Sequence, residues 1–427
     1  MYNYILEEVM KQHLFKKCIS ILLCGCLCLG LCSCSLTDTS IDELMRPPQL
    51  SQSRQQVQQA IERILGTSYQ LISPSGGNHR SGINLEDLDG DRQNEAICFL
   101  TAGDVQLLDV LVLQKSQDGW KQLGRFSSDA TAVDKVEFAD LNVDGSMELI
   151  IGWSYLTGSE KIMEILQLEN DDLSSKYKEK YSQFAIAGKQ AVVIDQSADA
   201  ATLLGYHNNK IISLSSVPID PQITSFTALT VAETAKGDPA VYMDTQLEEG
   251  TYHTEILVIN GGKYLENKLF TEEALRVERP YSIRCTDING DGIPEVPNTV
   301  PMENGDVTAY YTTWAGYDGT ALATPLITYT SASDQFYLEY PEHWRGKIFV
   351  RQDSKMQRLY HFINQKDEIL YSLRVFTVTE YTQTDTEDGW ITLIESTDKV
   401  IAYKIGNTSA GDCALSTAEW AAALHTY

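Results

Sequence analysis

The sequence predicts a mainly β protein, and three observations carry that expectation. Apolar runs of strand length recur along the middle of the chain: Leu107–Gln114, Ile162–Leu168, Ala201–Tyr206, Thr254–Ile259 and Thr308–Trp314. An acidic, Gly-containing turn recurs three times between strand-like flanks. Helical spacing of apolar residues is confined to short stretches near residues 53–65 and 417–425.

The chain has 427 residues, enough for two or three domains and a sizeable core. Residues 1–33 are expected to stand outside it. Lys16-Lys17 precede an apolar run from Cys18 to Leu31, followed by Leu31-Cys32-Ser33-Cys34. This resembles a bacterial lipoprotein signal, which implies lipidation at Cys34 and a location at the extracytoplasmic face of the cell membrane. The run is too short for a membrane-spanning helix. Leu23-Cys24-Gly25-Cys26 fits the same pattern with a shorter apolar run, and Met10 is an alternative start.

Formal net charge is −26, and removing residues 1–33 takes away three Lys and two Glu, leaving about −27. Such a surface argues against nucleic acid and against electrostatic adhesion to anionic lipid, so membrane contact is expected through acyl chains. Only Cys98, Cys285 and Cys413 lie beyond Cys34, with neither a disulfide framework nor a Cys/His zinc spacing. Residues 34–50 are polar, contain Pro47-Pro48, and read as a tether. Residues 51–79 are expected to hold one amphipathic helix and a lead-in strand. Ser53-Arg54-Gln55-Gln56 matches a capping box, Val57, Ile61, Ile64 and Leu65 follow at helical spacing, and Gly66 is a stop.

The acidic turns carry the chemistry. Asp87, Asp89, Asp91 and Glu95 occupy positions one, three, five and nine of the first. Asp140, Asn142, Asp144 and Glu148 do so in the second, and Asp287, Asn289, Asp291 and Glu295 in the third. Converging carboxylates about 4 Å apart repel by roughly 4 kcal/mol at an effective dielectric near 20. A hard cation removes that penalty, and an all-oxygen set suits Ca²⁺ better than Zn²⁺ or copper. An EF-hand needs Glu at position twelve, where this chain has Cys98, Ile151 and Asn298. Val136-Glu137-Phe138 and Leu149-Ile150-Ile151 flank the second turn with strand sequence. The turns therefore read as Ca²⁺ loops of β-hairpins, against the plainer reading of ion-free Asp/Asn/Gly turns.

The first Asp of each loop lies at 87, 140 and 287, so the steps are 53 and 147 residues, the second close to three steps of 49. That spacing predicts two degenerate copies between them, at Phe184–Ile194 and Phe226–Tyr242. Four strands in about 50 residues is the unit of a propeller blade. The expectation is a mainly β fold, an about five-bladed β-propeller over residues 80–332, followed by a small α+β domain over 333–427. A blade cannot bury both faces alone, so the ring is expected to close, with Tyr69–Ile72 adding a strand to the last blade.

The three loops, each followed by Glu and an apolar strand, resemble FG-GAP/VCBS-type repeats of integrin-like propellers. That resemblance implies Ca²⁺ loops that lie on one rim and brace the blades. Arg92 departs from it at position six, where Gly is usual, and position nine is Glu rather than Asp.

Residues 333–427 contain strand candidates at Phe336–Tyr340, Lys347–Arg351, Arg358–Ile363, Glu368–Val378, Gly389–Glu395 and Lys399–Ile405. Ser416-Thr417-Ala418-Glu419 is a capping box, with Leu415 and Trp420 placed as a hydrophobic staple for a helix from Thr417 to about His425. No HExxH, P-loop, GxSxG or dinucleotide-type Gly loop occurs in the sequence. The Gly-rich stretch Gly76–Gly82 precedes a strand and reads as a loop. His343 and His361 read as packed or surface side chains. Trp120, Trp153, Trp314, Trp344 and Trp390 read as packing residues before a sugar platform. The function expected is a non-enzymatic binding, adhesion or scaffold module for a protein or glycan. The alternative is a Ca²⁺-dependent carbohydrate-active enzyme.

Overall fold

In the computed structural model the described residues form six antiparallel sheets that follow one another along the chain. The structure describes residues 52–103, 107–155, 160–302, 309–383 and 389–426. The expected signal peptide, Cys34 and the tether lie outside the described residues. The described residues from Val57 onward form one compact unit.

The first sheet is built from Glu95–Ala102, Leu108–Ser116 and Gly119–Ser128. Both Tyr69–Leu71 and Ile83–Glu86 pair with its leading strand. The lead-in strand Tyr69–Leu71 thus joins the first sheet, opposite Leu100–Ala102, and not the last as expected. The second sheet runs Ala132–Ala139, Glu148–Ser154, Lys161–Glu169, Asp172–Lys180, in order. The third runs Gln183–Ala187, Gln190–Asp195, Ala200–His207, Lys210–Pro218. Ile223–Glu233, Pro239–Leu247, Tyr252–Asn260 and Tyr264–Asn267 make the fourth, with Glu278–Arg279 pairing on Tyr252–Asn260. The two degenerate copies therefore fall on strand–turn–strand hairpins, at Gly188-Lys189 and across 234–238.

Alternation along these strands sends side chains to both faces, and both faces are covered. Ile97, Phe99, Val110 and Val112 of the first sheet pack on Val136, Leu149, Ile151 and Trp153 of the second. Ile150, Met163 and Ile165 meet Phe184, Ala191 and Val193 of the third. Val192, Ile194 and Leu203 meet Val241, Met243 and Leu257 of the fourth. Tyr242, Ile256 and Val258 continue to Val296 and Tyr317 of the fifth. Burial of this kind contributes about 25 cal/mol per Å² of apolar surface.

The two ends of the row are covered differently. Val57, Ala60 and Ile61 of the helix Gln52–Leu65 cover Ala96, Cys98, Leu111 and Leu113, the other face of the first sheet. Ile64, expected on the apolar face, is exposed. The helix begins at Gln52, so Ser53 sits inside the first turn and does not cap it. Gly66 ends the helix in a left-handed conformation, as expected.

The fifth sheet contains Glu295–Pro301, Tyr310–Tyr317, Leu322–Ser331, Phe336–Glu339 and Leu424–Thr426. Its last two strands lie beyond residue 333, so the expected domain boundary falls inside a sheet. The C-terminal helix stops at Ala423 and gives way to that strand, short of the expected His425. Its capping box is formed: Ser416 accepts from the Glu419 N–H, and Ser416 N–H donates 2.8 Å to Glu419. A sixth sheet orders Phe349–Gln352, Leu359–Ile363, Ile369–Thr377, Lys399–Ile405, Ile391–Glu395. One core joins it to the fifth, holding Tyr311, Phe336, Trp344, Phe362, Leu373 and Trp420. Among the described residues no hydrophobic cluster joins the first sheet to the fifth or sixth.

Candidate functional site: three acidic hairpin loops and a Tyr-lined cavity

The acidic loops lie where the sequence places them, each between antiparallel partners. Glu86 pairs with Glu95, Ala139 with Glu148 and Thr286 with Glu295. The same internal bonds recur. The first Asp accepts the N–H of the sixth residue: Arg92 to Asp87 at 2.8 Å, Gly145 to Asp140 at 3.0 Å, Gly292 to Asp287 at 2.8 Å. The fifth-position Asp accepts the N–H two residues on, from Gln93, Ser146 and Ile293 at 2.7–2.8 Å. The ninth-position Glu reaches back to the second N–H: Leu88 to Glu95 at 2.9 Å, Leu141 to Glu148 at 2.7 Å, Ile288 to Glu295 at 3.0 Å.

Two backbone positions turn left-handed in every copy. Position four is Gly90 (φ 77°), Val143 (φ 64°) or Gly290 (φ 78°); position six is Arg92 (φ 70°), Gly145 (φ 94°) or Gly292 (φ 89°). Left-handed backbone favours Gly, so Arg92 and Val143 are the exceptions in an otherwise shared geometry. The first two loops also touch: Met147 N–H donates to the Leu88 carbonyl at 3.0 Å.

The loops differ at position three. Asn142 donates to Asp144 at 2.9 Å and to Glu148 at 3.0 Å, and Asn289 donates to Asp291 at 3.0 Å and to Glu295 at 2.8 Å. An amide thus lies between the carboxylates of these two loops. In the first loop Asp89 replaces the Asn, and the buried Oε1 of Glu95 is left without a hydrogen bond. Oxygens of Asp87, Asp89 and Glu95 lie within 4.8 Å of one another, whereas Asp91 is engaged by the Gln93 amide at 3.1 Å. Burial pushes Glu95 up to about 7 against the Leu88 hydrogen bond, and Asp89, Asp91 and Asp87 add to the rise. Burial likewise pushes Glu148 up to about 7, with Asp144 and Asp140 adding, and raises Glu295. Such shifts mark buried carboxylates, with like charges nearby as the lesser cause. The donor set is all oxygen and fits a hard cation, most directly in the first loop.

The third loop is held to the fourth sheet by a buried ion pair that sequence reasoning did not find. Arg279, 1 % exposed, places Nη2 2.8 Å from Asp244 Oδ1 and donates to Thr254 and to the Ile283 carbonyl. Asp244 Oδ2 accepts the Cys285 N–H at 2.8 Å, two residues before Asp287.

A cavity of about 540 Å³ opens beside the fifth and sixth sheets, lined by Tyr281, Tyr310, Thr299, Thr330, Arg351 and Gln352, among others. Tyr281 and Tyr310 meet edge to face, with ring centroids 5.6 Å apart. Trp120, Trp153, Trp314 and Trp344 are buried and form no platform. His343 is exposed beside Trp344, and His361 bonds Ser372 and Asp353. The Gly-rich loop is pinned to the second sheet through Ser75 and Gly76 N–H bonds to the carbonyls of Val133 and Asp134. All three described cysteines are free and buried. Among the described residues no helix is long and apolar enough to cross a membrane.

The described residues define a mainly β protein of several antiparallel sheets with three acidic hairpin loops. No family model and no curated protein matches the chain. Among solved structures it is similar to the crystal structure of Sqt1 from Chaetomium thermophilum, at 10 % identity and a TM-score of 0.34, over 77 % of this chain and 83 % of that one. A protein from Lactobacillus plantarum is similar at 11 % identity and a TM-score of 0.32, over 77 % and 89 %. Likenesses this distant carry no functional argument.

Proposed function

We propose that this is a lipid-anchored extracytoplasmic binding protein, not an enzyme, whose acidic loops take Ca²⁺ to brace the hairpins of a five-bladed propeller-type array that continues into the small C-terminal α+β region. The observation that carries the metal reading is the loop geometry repeated three times around a buried Glu at position nine. The ions are structural: they offset carboxylate repulsion at hairpin ends. Cys34 supplies the anchor and the acidic surface excludes nucleic acid. The ligand is a protein or a glycan. The hydroxyl-rich, Tyr-edged cavity supports a glycan there, since sugars are held by aromatic faces and hydrogen-bonding side chains together.

Thermal melting in chelator and in millimolar Ca²⁺ tests the metal reading. A ligand at 100 times its dissociation constant stabilises the native state by about 2.7 kcal/mol, so melting temperature rises with Ca²⁺. Coincident curves remove the metal. Cys34→Ala is expected to shift the protein from the membrane fraction to the soluble one; retention at the membrane overturns the anchor.

A further inference from the structure

The fourth sheet holds a buried cluster that neither the acidic loops nor the cavity uses. His253 and Glu255 are alternate residues of strand Tyr252–Asn260 and share a face; Asp220 precedes strand Ile223–Glu233. Their exposures are 1 %, 0 % and 2 %. One donor atom from each lies within 4.8 Å of the other two. His253 Nε2 is 3.3 Å from Glu255 Oε1, and its Nδ1 is 3.8 Å from Asp220 Oδ2.

Other groups orient the carboxylates. Asp220 N–H donates to Glu255 Oε1 at 2.9 Å, Gln222 N–H donates to Asp220 Oδ1 at 2.8 Å, and the Asn267 amide donates to Glu255 Oε2. Arg276 Nη2 approaches Asp220 Oδ2 at 2.6 Å. Three polar atoms of the cluster lack a well-formed hydrogen bond: His253 Nε2, Asn267 Oδ1 and Asp220 Oδ2, the last met only by its ion pair with Arg276, all on side chains at most 2 % exposed. Leaving a buried polar atom unsatisfied costs about 1–3 kcal/mol, so the imidazole nitrogen facing Glu255 calls for a partner. With a neutral imidazole, two carboxylates against one guanidinium leave one uncompensated negative charge in the interior.

We propose that Asp220, His253 and Glu255 form a buried site for a borderline divalent cation of the Zn²⁺ class. One imidazole nitrogen with carboxylate oxygens is a set such ions accept and Ca²⁺ does not prefer. The hydrogen bonds that fix Asp220 and Glu255 from outside are the supporting shell such a site needs. The cation pins the turn at Asp220 to strand Tyr252–Asn260, and it enters as the sheet forms. This site is independent of the acidic loops.

The test uses Co²⁺ as the spectroscopic substitute. The full chain is produced in zinc-depleted medium supplemented with cobalt, then desalted in excess Ca²⁺ so that oxygen-only sites hold Ca²⁺. Stoichiometric cobalt should remain per chain, with visible d–d absorption and a paramagnetically shifted imidazole N–H resonance. Retention should be lost in His253→Gln and in Glu255→Gln, and unchanged in Glu95→Gln. Wild-type protein free of cobalt, or cobalt without the shifted imidazole signal, overturns the site whether or not the variants fold.

Discussion

A backbone requirement at position four sets the second loop apart. Position four must turn left-handed, and the second loop meets it with Val143, a β-branched residue for which that conformation costs about 1–2 kcal/mol. Val143→Gly is therefore expected to raise unfolding stability by about 1 kcal/mol after the added chain entropy of Gly is offset, read from the denaturant midpoint. Gly90→Ala in the first loop has the opposite sign. Its Cβ would lie 2.4 Å from the Gly145 carbonyl oxygen, at φ 77°, and a loss of about 2 kcal/mol is expected. Equal midpoints for Val143→Gly and wild type would show that the loop stores no strain. The carboxylates at positions one, five and nine were legible in the sequence because their partners lie within the same nine residues. Val143 was not, because nothing in its own chemistry announces a left-handed turn. The bridging Asn at position three was visible as a residue type, but its donation to Glu148 or Glu295, and the orphaned Glu95 oxygen where Asp89 replaces it, emerge only from the closed loop.

Among elements, strand–turn–strand hairpins were legible and distant pairings were not. Glu95–Ala102 and Glu148–Ser154 announce themselves by apolar content and by the acidic turn before them. Nothing local in Tyr69–Leu71 states that it will lie beside Leu100–Ala102, and the reading that sent it to the last sheet rested on ring closure alone. His253, Glu255 and Asp220 escaped notice for the same reason: the third member is 33 residues from the first. Arg279 is the element-scale counterpart of a loop ligand, since it anchors the segment that enters the third loop. Arg279→Ala would leave Asp244 buried without its counter-charge, and a loss of about 3–5 kcal/mol is expected in urea unfolding. Replacing the pair together, as Arg279→Met with Asp244→Leu, should recover most of that loss. A single-variant cost below about 1 kcal/mol would mean that the pair does not hold this segment.

For the whole molecule, the repeating sheets were legible in the sequence and the partners of the first and fifth sheets were not. A ring was expected because each sheet has two apolar faces to cover. Among the described residues Val57, Ala60 and Ile61 cover one face of the first sheet, and the fifth sheet shares a core with the sixth. The expected boundary at 333 also failed, because the Ser333 pattern change marks a turn between paired strands and not a linker. A chain ending at Ala332 would lack two strands of the fifth sheet and the core partners of Tyr311 and Ile327. It is expected to bind a hydrophobic dye and to lose the sharp calorimetric transition of the full chain. An undiminished, cooperative transition would restore the boundary.

The pairing of Leu424–Thr426 with Phe336–Leu338 has a kinetic meaning. The second and third sheets use only consecutive strands, so each can close soon after its residues are synthesised, with little loop to order. The fifth sheet spans a gap of 86 to 90 residues between those paired positions. It must wait, with Phe336 and Leu338 uncovered, until the intervening sixth sheet has been made and the chain comes back. The order of synthesis thus makes residues 336–338 the last edge to be sealed, and the most exposed to aggregation or to a chaperone until then.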